Sequence, residues 1–202
     1  MKPGKFIVLE GVDGSGTTTQ SKLLRDALSA RGIHTVRTAE PTDGEIGLLI
    51  RRALRKEVGP FSWESLALLF AADRMSHVDL DSRRLASGES IVQDRYVLSS
   101  LIYQSASAGD AEDFARLWIR AVNERAPKPD LTIVLDVSPS IAQKRREERR
   151  GAEELFDDAK FQELLSLRYV MAPGLHVDGN RETSVVHEEI LSIALRLFGE
   201  GT

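Results

Sequence analysis

The chain has 202 residues, 27 Lys and Arg against 31 Asp and Glu, a net charge of −4 and no cysteine. Disulfides and thiolate metal sites are thereby excluded, and the acidic balance implies no bulk attraction to nucleic acid. No apolar run approaches the roughly 20 residues of a membrane span. Met1 to Gly4 lead straight into a strand pattern, so no signal peptide is expected, and a cytoplasmic protein fits this composition. Along the chain, short apolar runs alternate with helical periodicity. A strand at 6–9 is followed by a glycine-rich loop and a helix running to about residue 30, which Arg31-Gly32 stops. The next strand is expected at 34–37, with helices at 46–55 and 63–85, the second long and amphipathic. Strand 91–94 precedes helices near 99–105 and 112–125. Pro127 and Pro129 break the pattern before 131–136, the most apolar strand. A helix from Pro139 runs into Arg145, Arg146, Arg149 and Arg150. Helix 161–171, strand 175–177 and helix 185–198 close the chain. Five strands alternating with helices predict an α/β, three-layer fold, a five-stranded parallel sheet flanked by helices, in one domain over 1–202.

Arginine outnumbers lysine 20 to 7. The four arginines between 145 and 150 read either as a solvated helix face or as phosphate contacts, for which the planar guanidinium is suited. The strongest chemical signal lies between the first strand and first helix: Gly11, Val12, Asp13, Gly14, Ser15, Gly16, Thr17 and Thr18. Gly-x4-Gly followed by hydroxyl residues is the spacing of a P-loop. Its glycines admit positive φ, and its consecutive N–H groups converge on phosphate at a helix N-terminus. Thr18 holds the position whose hydroxyl binds Mg²⁺. Thr17 stands where the pattern has lysine. Two strands end in acid, at Asp94 and Asp136, and ligands of parallel sheets gather at such ends. Asp94 is the preferred metal candidate because Arg95 follows it; Asp136 reads as an outer or helix-capping residue.

Beyond the P-loop, Glu40-Pro41, the run Leu69-Phe70-Ala71-Ala72-Asp73-Arg74, Asp94-Arg95-Tyr96, Ser99-Ser100, Tyr103-Gln104 and Leu135-Asp136-Val137 follow in order. Together they resemble the thymidylate kinases among P-loop nucleoside monophosphate kinases, over nearly the whole chain. The resemblance implies the P-loop NTPase fold, usually dimeric, and phosphoryl transfer from ATP to dTMP with Mg²⁺, giving dTDP and ADP in dTTP synthesis. It implies that Phe70 stacks on thymine, with Arg74 one helical turn on as a donor to the base. Arg95 would hold the dTMP phosphate, with Arg51 a second candidate. Tyr103 would crowd the sugar 2′ position, Ser100 and Gln104 would flank the base, and Glu40-Pro41 would form a substrate-side loop. Asp13 would lie near the substrate sugar and phosphates. Arg145 would lie over adenine, and Arg149 and Arg150 fall in a lid near 145–157.

Two departures stand out. The neutral Thr17 removes a charge that neutralises β/γ-phosphates during transfer; Lys22, farther along the helix, is expected to point away from them. The resemblance offers the lid arginines Arg149 and Arg150 as replacements. Ala39 stands where many relatives carry arginine before Glu-Pro, removing a substrate-side cation. A catalytically weak nucleotide-binding paralogue and a kinase for another pyrimidine deoxynucleoside monophosphate are the competing readings.

Overall fold

The computed structural model describes residues 3–148 and 155–199. Five strands, β1 (Phe6–Gly11), β2 (Thr35–Ala39), β3 (Ser90–Asp94), β4 (Leu131–Asp136) and β5 (Leu175–Asp178), form one parallel sheet in the order β2-β3-β1-β4-β5. The helices are α1 (Thr17–Ala30), α2 (Glu45–Leu54), α3 (Trp63–Ala86), α4 (Val97–Ala106), α5 (Glu112–Val122), α6 (Pro139–Glu148), α7 (Ala159–Val170) and α8 (Thr183–Leu195). Because side chains alternate along a strand, β1 feeds two cores. Ile7 and Leu9 pack with Leu24, Leu28 and Ile190 of α1 and α8. On the opposite face, Phe6 and Val8 pack with Ile91 and Tyr96. Farther along that side, Val12 and Val134 meet Ile102, Tyr103, Leu165 and Tyr169. Helices therefore cover both faces, as buried parallel strands require. Among the described residues, no helix is long and apolar enough to cross a membrane.

Three differences from the sequence expectation bear on the site. Strand β2 runs to Ala39, two residues past the expected end, because it pairs with β3 up to Ala39↔Asp94. Helix α5 stops at Val122, short of residue 125; Asn123 caps it, its side-chain amide donating to Ile119 O at 2.8 Å. Helix α3 is amphipathic only at its start. Leu66, Ala67 and Ala71 are buried there, but the inward positions that follow are Asp73, Arg74 and Asp81. Such charges are buried at acceptable cost only where they are paired.

Candidate active site

The P-loop leaves β1 and opens α1. Gly14 and Gly16 have φ of +90° and +100°, and Ser15 N closes the turn on Val12 O at 3.0 Å. A cavity of about 480 Å³ lies over residues 13–20, walled by Arg145, Glu148, Gly179 and Arg181. Ser15 Oγ is buried in this loop without a partner. Arg145 donates through Nη2 to Gly179 O at 3.0 Å and lies 3.4 Å from Ser15 O. Arg146 donates to Asp13 O at 2.8 Å. Of the two readings of the arginine cluster, Arg145 and Arg146 follow neither fully. They fold against P-loop carbonyls rather than into solvent.

A second cavity of about 440 Å³ adjoins the first, and Asp13, Thr18 and Arg95 line both. Phe70, Arg74, Ser100, Tyr103, Gln104, Pro41 and Arg51 all face this second space. Phe70 is half-buried and stands outside the core clusters, so its ring is available to a planar ligand. Gln104 is buried with Oε1 unpartnered.

Arg95 joins the cavities. Its Nη2 donates to Asp13 Oδ1 at 2.6 Å, and its guanidinium lies 5.4 Å from the Tyr103 ring centroid. Burial works against its charge, but Tyr103 and Asp13 facing it hold the guanidinium firmly protonated. The residue sits at φ +64°, a left-handed conformation unusual for a long side chain. Glu10 holds that turn: Oε1 accepts Tyr96 N at 2.9 Å and Ser99 N at 3.2 Å, and Oε2 accepts Ser99 Oγ at 2.6 Å. Burial pushes the Glu10 carboxyl up. Tyr103 is more than a wall. Its hydroxyl accepts Asp13 N at 3.1 Å, and its ring packs on Phe156 at 5.3 Å.

The loop after β2 is fixed from beneath by α3. Asp73 accepts Thr42 N at 2.7 Å and Thr42 Oγ1 at 2.5 Å. Arg51 donates to Pro41 O at 2.5 Å and Asp43 Oδ1 at 3.1 Å, so it braces this loop rather than projecting into solvent. Arg74 is buried, donating to Glu40 Oε2 at 2.5 Å and also to Asn123. Behind it, His77 bridges Glu40 Oε1 at 3.1 Å and Asp81 Oδ2 at 2.8 Å, with Arg84 pairing with Asp81 at 3.1 Å.

Burial opposes a charge on His77, but the bonds to Asp81 and Glu40 outweigh it and raise the imidazole to about 9. A group raised in the folded state stabilises fully below its unfolded pKa, near 6.5, and loses that contribution as pH climbs through about 9. We expect the melting temperature to fall between pH 7 and 10 and the fall to be blunted in His77→Gln. Parallel pH profiles for the two proteins would count against the bridge.

Several residues were missed by the sequence reading. Arg37 lines the second cavity, as do Arg55 and Phe156; Gln162, Arg181, Glu10 and His77 complete the surroundings. Glu10 had a signal, a carboxylate inside the apolar strand Phe-Ile-Val-Leu-Glu-Gly. His77 stands three residues after Arg74 and four before Asp81, one helical face. Lys22 lines the second cavity and not the P-loop cavity. Asp136 neither lines these cavities nor caps a helix; its carboxylate binds His176 Nδ1 at 2.9 Å. Arg149 and Arg150 lie outside the described residues, as does the middle of the expected lid, 149–154.

The donor set at the cavity junction fits a hard divalent cation. Thr18 Oγ1 donates to Asp94 Oδ2 at 2.7 Å, while Asp94 Oδ1 is buried without a partner. One carboxylate and one hydroxyl suit an ion that completes its shell with waters and phosphate oxygens.

A family model described as thymidylate kinase matches residues 9–190. A probable thymidylate kinase of Pyrococcus abyssi is 38% identical over 201 residues, covering 94% of this chain and 95% of its own. One from Pyrococcus horikoshii is 45% identical over 159 residues, 76% of this chain and 75% of its own. Among solved structures, a thymidylate kinase from Candida albicans superposes with a TM-score of 0.85 at 23% identity, covering 98% of this chain and 94% of that one. The chain belongs to the thymidylate kinase family.

Proposed function

We propose that the protein transfers the γ-phosphoryl group of ATP to dTMP, giving dTDP and ADP, with Mg²⁺ as cofactor. The observation that carries this reading is the junction of the two cavities at Asp13, Thr18 and Arg95. One cavity lies over a P-loop. The other pairs an uncommitted aromatic face, Phe70, with buried polar groups on Arg74, Ser100 and Gln104. ATP phosphates are held by the N–H groups of residues 14–18, with Arg145 on the adenine side. The Arg95 guanidinium binds the acceptor phosphate and is kept in place by Asp13 and the Glu10-clamped turn. Thr18 and Asp94 are the residues for Mg²⁺, which when bound neutralises charge on the donor phosphates. No protein nucleophile is required, because positioning and electrostatics carry this transfer. Arg149 and Arg150 are proposed, from their place in the sequence, to add positive charge over the donor. Tyr103 is proposed to disfavour a ribose acceptor.

A coupled ADP-release assay over a panel of ribo- and deoxynucleoside monophosphates tests the reading. Turnover is expected with dTMP first, and binding of dTMP without turnover would favour the weak paralogue. In the same assay Phe70→Ala is expected to raise KM for dTMP about tenfold or more and leave KM for ATP within twofold, since base stacking contributes ~1–3 kcal/mol. An equal rise for both substrates would remove Phe70 from the acceptor site. Arg74→Ala is a poorer probe than it looks from sequence. Removing one partner of a buried pair costs about 3–5 kcal/mol in stability, whatever the base contact contributes.

The same reading makes the protein a cytoplasmic homodimer. Leu48 on α2 and Leu68, Met75 and Leu80 on α3, each 37–50% exposed, supply apolar surface for a partner copy. A one-chain mass by light scattering at micromolar concentration would contradict dimerisation.

A further inference from the structure

The acceptor cavity sets carboxylates beside the space proposed for an anionic ligand, and one of the arginines that answer them, Arg37, has no role in the reading above. Asp13, Glu40, Asp43 and Asp94 line it, and the ligand proposed for it is a dianionic monophosphate. Glu40 is answered by Arg74 and His77, Asp43 by Arg51, and Asp13 by Arg95. Asp94 is answered by Arg37, through Nη2 to Oδ2 at 2.7 Å. Arg37 Nε donates to Ser21 Oγ at 2.7 Å. The guanidinium is thus pinned at two points beside the Thr18–Asp94 pair, through Nε and Nη2, which leaves Nη1 as a donor for a ligand. Its side chain keeps 20% exposure while Asp94 keeps 7%.

The strand register explains how this cation arrives there. Ala39 pairs with Asp94 at the end of β2, and its methyl brings no charge. Arg37 stands two residues earlier on the same face of the strand, about 6.6 Å back at 3.3 Å per residue. Both residues line the cavity. An arginine from position 37 therefore reaches forward past the small residue at 39 to Asp94, that residue's own register partner. The neighbouring P-loop position Thr17 is neutral and buried, so it adds no positive charge to this junction.

We propose that Arg37 binds the phosphate of the acceptor nucleotide. In this role it cancels the Asp94 charge that would repel the phosphate, and it offers a planar donor of the kind that pairs well with phosphate oxygens. The inference rests on the dTMP reading above and adds the residue that recognises the phosphate from the β2 side, opposite Arg95. The alternative is that Arg37 only steadies Asp94 and α1, with no ligand contact.

Equilibrium binding of dTMP and of thymidine, by calorimetry without added divalent cation, separates these accounts. Arg37→Gln is expected to weaken dTMP at least tenfold while thymidine binding stays within twofold, because only dTMP carries the phosphate. Arg37→Lys should recover part of the loss. The double variant Arg37→Ala with Ala39→Arg should recover most of it, since it returns a guanidinium to the same cavity from two residues farther on. Melting curves of each variant establish that it is folded. If dTMP and thymidine weaken together, or dTMP binding is unchanged in Arg37→Gln, the inference is overturned and Arg37 is structural. If the wild-type protein binds neither ligand, the dTMP reading itself falls and this inference with it. That outcome is visible before any variant is compared.

Discussion

Arg95→Ala is expected to lower kcat/KM for dTMP by about 10³, the largest loss of any single side chain in the site. The residue lines both cavities, so on the proposed reading it touches the space in which the transferred group passes from donor to acceptor. Its charge is fixed and its position is built in. The left-handed backbone at φ +64° and the 2.6 Å bond to Asp13 hold the guanidinium before any ligand arrives. A preorganised donor of this sort costs nothing to orient at the moment of reaction, and removing one from an acyl- or phosphoryl-transfer site typically costs 10²–10³ in rate. Here Asp13 is also left facing an incoming phosphate without its partner, which adds repulsion to the lost attraction. A factor of 10³ corresponds to about 4 kcal/mol of transition-state stabilisation. The loss should fall on kcat as well as KM, because the interaction strengthens as charge shifts between phosphates. Arg95→Lys should recover only part of it, since an ammonium cannot reproduce the planar fork. A loss under tenfold in Arg95→Ala, in a protein that melts normally, would move the acceptor phosphate away from Arg95.

How much of this was legible in the sequence divides along a physical line. The sheet was, because its inner strands β1, β3 and β4 are short, largely buried apolar runs set off by glycine or proline, and such punctuation is local. So was the placement of residues whose pattern is carried by spacing: the P-loop between β1 and α1, Asp94 ending β3 with Arg95 after it, and Phe70 with Arg74 on α3. What the sequence did not show is how the side chains divide their bonds. Arg74 and Arg51 read as substrate contacts, yet Nη1 and Nη2 of Arg74 already bind Asn123 and Glu40, and Nη2 of Arg51 binds the 41–43 loop. Arg145 and Arg146 read as a helix face or a lid, yet they bind P-loop carbonyls. Glu10, Arg37 and His77 act through partners 37 to 89 residues away, and such pairings depend on strand order and register. The end of β2 is an example. Whether Arg37 reaches Asp94 turns on the pairing of Ala39 with that residue, which local pattern does not fix.

The second large effect tests the loop that the sequence showed best. Gly14→Ala is expected to abolish measurable ATP binding and to lower the melting temperature by roughly 6–12 °C, whereas Gly16→Ala should be far milder. Both glycines have positive φ, +90° and +100°, so each substitution incurs a backbone cost of ~1–2 kcal/mol. They differ in what a methyl group would meet. At Gly14 an added Cβ falls 2.3 Å from Ala142 O and 3.1 Å from Ala142 Cα, both backbone atoms of α6; at Gly16 nothing lies within 4 Å. A clash with helix backbone cannot be relieved by turning a side chain. Either the P-loop or α6 must move, which brings the total to about 3 kcal/mol or more, at ~2–4 °C per kcal/mol for a chain of this size. Movement of α6 also withdraws Arg145 and Arg146 from the carbonyls of Ser15 and Asp13, so the donor site loses its wall together with its floor. Gly16 opens α1 into free space, and Gly16→Ala should keep ATP binding within about tenfold of wild type, with a melting temperature lowered by ~2–8 °C. Calorimetric titration with ATP and thermal melts of the two variants, run side by side, decide the matter. Equal losses in both would mean that φ strain alone governs the loop and that the close packing of α6 against Gly14 is not what shapes the phosphate site.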